Sequence, residues 1–148
     1  MLSNTETSGT PPASRARSTI IRAGLVYCAL VLGTGFALGV LRVPLLVPRI
    51  GARWAELAEM PLMATAIYFW AGYLLRRFPD IGSAARTLAT GFLALALLIC
   101  AELTLTLALQ SQPLADYLAG RDKVSGSVYL AMLLLFALMP WLRLPRRK

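Results

Sequence analysis

The sequence predicts an all-α fold: an integral membrane four-helix bundle that runs up-down-up-down, with both termini in the cytoplasm. Three observations predict it. The 148 residues are 57% hydrophobic and only 15% charged, against about 45–50% and about 25% in an average soluble domain. The apolar residues gather into four segments joined by short charged connections. The basic residues fall unevenly on the two sides that four spans would create. The same composition excludes much chemistry. There is no His and there are only two Cys, which removes imidazole metal sites, Ser-His-Asp triads and four-thiolate zinc sites.

Segment one is Ala23 to Leu41, uncharged and bracketed by Arg22 and Arg42. At about 1.5 Å per residue it matches a hydrocarbon core of about 30 Å. It exceeds the apolar run of about 7–15 residues found in signal peptides, although Ala37-Leu38-Gly39 supplies the small-x-small pair that a cleavage site uses. Segment two needs more care. Its uncharged run, Pro61 to Leu75, is too short to cross. A spanning helix must start near Ala55, which draws Glu59 to the edge of the apolar layer and sets Glu56 at the interface. Pro61 has no N–H and would clash with the Leu57 carbonyl, so a kink is expected there.

Segment three, Thr87 to Leu109, contains one charge, Glu102. Segment four, Val124 to Leu142, contains none, and Pro140 is expected only to loosen its last turn. The predicted transmembrane domain is 21–142, with spans at about 22–42, 55–76, 86–109 and 124–142. Two prolines and a glycine in residues 43–54 predict a turn. In residues 110–123, Leu114, Tyr117 and Leu118 share one helical face after Pro113, which predicts a short interfacial helix. Residues 1–20, rich in Ser, Thr, Pro and Ala, predict a disordered cytoplasmic tail. Residues 143–148 predict a basic one.

Charge sets the orientation. The terminal side holds Arg15, Arg17, Arg22, Arg76, Arg77, Arg86, Arg143, Arg146, Arg147 and Lys148. The opposite side holds Arg42, Arg49, Arg53, Arg121 and Lys123. The positive-inside rule places the richer side, with both termini, in the cytoplasm. The acids Glu6 and Asp80 fall on that side. Glu56, Glu59, Glu102, Asp116 and Asp122 fall on the other and balance its bases. The whole net charge of +8 is then a cytoplasmic signal.

The balanced outer half holds the candidate site. A carboxylate in hydrocarbon costs about 2.5–3.5 kcal/mol on insertion scales, and the short Glu102 side chain cannot easily reach the interface. Arg42, Arg49, Arg53, Glu56, Glu59 and Glu102 are expected to converge at one level. One reading is an ion-pair network that fixes helix register, with Arg49 or Arg53 reaching Glu56 or Glu59 across one turn. Another is a polar site open to the outer side, where Glu102 exchanges a proton or the arginines hold a phosphate or anionic substrate. A third is a contact surface for a partner subunit, and a fourth is a protonated Glu102 that is merely hydrogen-bonded. Gly33, Gly35 and Gly39 are candidate helix-packing positions, either inside the bundle or between copies. Cys28 and Cys100 sit at different depths, fit no disulfide and read as small buried apolar residues.

No P-loop or dinucleotide-binding glycine pattern accompanies these charges, and no cofactor or metal is expected. The basic tails flank spans, where anionic headgroups explain them without nucleic acid. The sequence therefore predicts no enzyme. Its expected contacts are membrane lipids and a homo-oligomer or membrane-protein partner.

Three stretches carry a resemblance: GFALGVLRVPLLVPRIGARWAELAEMPLM (35–63), LICAEL around Glu102, and LLFALMPWL (134–142). Together they resemble a family of small four-helix inner-membrane proteins of proteobacteria, over roughly residues 22–142. The resemblance implies a bacterial inner-membrane location and singles out Arg42, Arg49, Glu56, Glu59 and Glu102. It carries no catalytic residue. The function expected first is a non-enzymatic accessory, assembly or scaffold protein. The alternatives are a small oligomeric transporter or permease component using Glu102 and Arg42, and an anionic-lipid-binding protein using Arg42, Arg49 and Arg53.

Overall fold

A computed structural model describes residues 13–109 and 123–145. Among them are four α-helices and no strand: α1 (Ala13–Leu45), α2 (Val47–Arg77), α3 (Ala84–Leu109) and α4 (Lys123–Leu142). A 3₁₀ turn, Pro79–Ile81, joins α2 to α3. Two helical stretches, Ala13–Leu45 and Ala84–Leu105, are long and apolar enough to cross a membrane. The apolar part of α4, Gly126–Leu142, is shorter. In α2 the uncharged run is confined to the second half, as expected from its composition.

Side chains fix the arrangement. Arg42 near the end of α1 meets Glu59 in the first half of α2, so these helices are antiparallel. A Cβ added to Gly24 would touch Leu93 and the Thr90 carbonyl, which sets α1 parallel to α3. Gly91 lies against the Ala137 backbone, so α3 and α4 are antiparallel. Each helix has two close neighbours: α1 packs on α2 and α3, and α4 packs on the same two. Hence α2 and α3 occupy opposite corners, and the 3₁₀ turn crosses the diagonal beneath α1. Ile81 in that turn is fully buried. The Thr87 hydroxyl, also buried, contacts the carbonyls of Ile81 at 2.6 Å and Ser83 at 2.8 Å, tying the turn to the first turn of α3.

The end that carries the turn is closed by small residues. Ala23, Ala71, Ala94 and Ala137 are fully buried there, and Gly24, Gly72 and Gly91 are buried beside them. Close approach lets α1 reach α4 across the diagonal. Tyr27 stacks on Phe136 with ring centroids 4.6 Å apart, and its hydroxyl donates to the Phe136 carbonyl at 3.0 Å. That carbonyl lies four residues before Pro140, whose missing N–H leaves it without its helical donor. Pro140 therefore does more than loosen the last turn: it creates a buried acceptor that Tyr27 satisfies. Tyr27→Phe should cost about 1–2 kcal/mol, the range for losing such a partner. In Pro140→Ala the N–H returns, and the same Tyr27→Phe change should then cost less than half as much. Reversible unfolding in mixed micelles across this double-mutant cycle measures both.

Several predicted boundaries are corrected. α1 begins at Ala13 rather than near residue 21, so residues 13–20 are helical. The turn expected across 43–54 contracts to Leu46, after which α2 starts at Val47. The break in α2 lies at Gly51 (φ 79°, ψ 161°), a conformation that glycine adopts freely. The dihedrals stay helical through Pro61, because proline's own φ fits a helix and only the Leu57 carbonyl loses its donor. Arg143, assigned to a basic tail, folds back on α2. It donates to the Tyr68 carbonyl at 2.7 Å and lies over the Tyr68 ring at 4.0 Å. Gly72 makes this possible, since a Cβ there would collide with the guanidinium. The predicted interfacial helix around Leu114, the first 12 residues of the tail and residues 146–148 lie outside the described residues.

Candidate functional site

At the other end of the bundle the helices enclose a cavity of about 340 Å³. Each helix supplies part of its wall. Buried positions on α3 recur at Thr87, Thr90, Ala94 and Leu98, and the next member of that stripe is Glu102. The spacing turns the carboxylate inward. Arg42 reaches in from α1, Glu56 and Glu59 from α2, and Tyr129 from α4.

The charges divide into two groups. Arg42 lies 3.1 Å from Glu59 and 3.9 Å from Glu56. The Glu59 side chain keeps only 14% of its exposure. Its Oε2 is buried and takes no hydrogen bond, so the 3.1 Å approach is a charge contact without an aligned N–H. Glu102 is held differently, by the Tyr129 hydroxyl, which donates to its Oε2. The apolar part of the wall includes Met60, Met63, Met132 and Phe136.

Of the six ionisable residues expected to converge, four line the cavity: Arg42, Glu56, Glu59 and Glu102. Arg49 and Arg53 are exposed and do not line it. Gly51 separates Arg49 from the straight part of α2 that carries the glutamates, and the ion pairs of Glu56 and Glu59 go to Arg42. Tyr129 is the site residue that sequence reasoning missed. The signal was available: a buried carboxylate needs a donor, and Tyr129 is the hydroxyl-bearing ring near the start of α4.

The packing glycines also sort differently. Gly35 lines the cavity, where a Cβ would meet Met63 Cε at 3.6 Å. A Cβ on Gly33 or Gly39 would meet nothing within 4 Å. The glycine that helix packing demands is Gly91. Cys28 is buried, but Cys100 is exposed, because it falls two positions off the Leu98–Glu102 stripe.

Compared with known proteins, the chain matches no protein-family model, no curated protein and no solved structure. Fold and site define the class directly. The described residues form an all-helical protein with two helices apolar enough to cross a membrane and a cavity walled by one arginine, three glutamates, Tyr129 and apolar side chains. Among the described residues, no group of His, Cys, Asp and Glu could hold a metal ion.

Proposed function

We propose that this chain is a multi-pass protein of a bacterial inner membrane, with both termini cytoplasmic, that serves as a non-enzymatic accessory, assembly or scaffold subunit. One observation carries the reading: its outward surface is apolar where a water-soluble bundle would be polar. Phe36 is 71% exposed, Phe69 65%, Trp54 64% and Leu130 62%, and Phe92 on α3 is exposed as well. Exposed apolar side chains on every helix suit lipid or a neighbouring membrane helix. Among the described residues, a Cβ on Gly33 or Gly39 would meet nothing within 4 Å, which supports a role in contact with a partner helix. The uneven distribution of Lys and Arg supports the orientation.

The anionic-lipid reading has less support. Arg42 is committed to two glutamates, and Arg49 and Arg53 do not line the cavity. Purification in a mild detergent tests the scaffold reading. The protein should run as a homo-oligomer or with a membrane partner, and Gly33→Leu combined with Gly39→Leu should release the monomer with its helical content unchanged. A wild-type protein that is monomeric and alone at native abundance would sink the reading.

A further inference from the structure

The cavity has no part in scaffolding, yet its walls are specific. We propose that it binds an amphipathic organic monocation, an ammonium centre bearing apolar groups, with Glu102 as the counter-ion. Four features carry this. The first is charge: among the described residues, the wall with its acids ionised has three negative groups, Glu56, Glu59 and Glu102, against one positive group, Arg42. The second is how that charge is distributed. Arg42 is shared by Glu56 and Glu59, while the partner of Glu102 is the neutral Tyr129 hydroxyl. Among the described residues, Glu102 is therefore the carboxylate of the wall left without a cation.

The third is the surface. Phe136 and Tyr129 offer aromatic rings, and Met60, Met63 and Met132 offer thioethers. Aromatic faces attract alkylammonium groups, and thioethers adapt to irregular apolar shapes. The fourth is size. About 340 Å³ falls within the range of about 300–1,000 Å³ typical of small-molecule pockets. A bare inorganic cation would leave most of that space and all of the apolar wall unused. An anion would meet the acidic excess.

The test uses the full-length protein in phosphatidylcholine nanodiscs, titrated calorimetrically with three water-soluble probes: benzyltrimethylammonium, neutral benzyl alcohol and anionic benzenesulfonate. The cation should bind once per chain, about tenfold or more tighter than either of the others. Glu102→Gln should remove that preference with helical content unchanged, and Glu102→Asp should retain it. Gly35→Leu keeps every charge but fills the cavity, so it should lose cation binding too, and it decides the matter if Glu102→Gln does not fold. Equal affinity for the three probes overturns the proposal. So does a preference for benzenesulfonate, or unchanged cation binding in a folded Glu102→Gln or Gly35→Leu protein. Oligomeric state plays no part in these readouts, so failure here is distinct from failure of the scaffold reading.

Discussion

Arg42→Met should destabilise the bundle by about 3 kcal/mol, the low end of the range for breaking a buried ion pair by removing one partner. The low end applies because the Arg42 side chain retains 27% of its exposure. The cost arises in what remains: Glu56 and Glu59 face each other across the vacated position, and Glu59 Oε2 has no other donor. Neutralising them should therefore rescue the fold. Adding Glu56→Gln and Glu59→Gln to Arg42→Met should recover most of the loss, which a weakly coupled surface pair would not do. Unfolding of the wild type and these two variants in mixed micelles, followed by circular dichroism, checks this. A loss below about 0.5 kcal/mol for Arg42→Met would place the pair with ordinary surface contacts.

Gly91→Ala should cost about 3 kcal/mol, at the upper end for overpacking. A Cβ at this position collides with the Ala137 carbonyl. That atom belongs to helix backbone and cannot move aside as a side chain can, so α3 and α4 must separate. The same change at Gly33 or Gly39 meets open space and gains helix propensity, so it should leave stability unchanged or slightly higher. The three alanine variants, measured side by side, separate glycines that hold the bundle together from those that face outward.

That contrast shows what was legible in the sequence. Four apolar segments and their charged breaks are local patterns, and they located the helices to within a few residues except near α1 and α2. Those two elements departed because propensity and context compete there. Residues 13–20 can extend an existing helix at little cost, and Pro61 keeps a helical φ while Gly51 supplies the break. The charged residues of the site were legible one by one, since a glutamate in an apolar run demands an explanation. Their pairing was not. Which glycine faces a neighbour, and whether Arg42 or Arg53 reaches Glu59, depends on helix rotation, which no linear spacing encodes. The Tyr27 contact with Phe136 shows the same limit: Pro140 announced a freed carbonyl, but only the folded bundle shows which residue answers it.

The diagonal crossing of the 3₁₀ turn has a last consequence. With Ile81 packed under the bundle and Tyr27, Leu74 and Phe136 filling the layer above it, the cavity has a floor. On the described residues, the cavity is closed at the end that carries the turn. Passage through to the opposite side would require unstacking Tyr27 from Phe136 and lifting the turn from its seat. Any passage through the bundle would therefore need a second conformation.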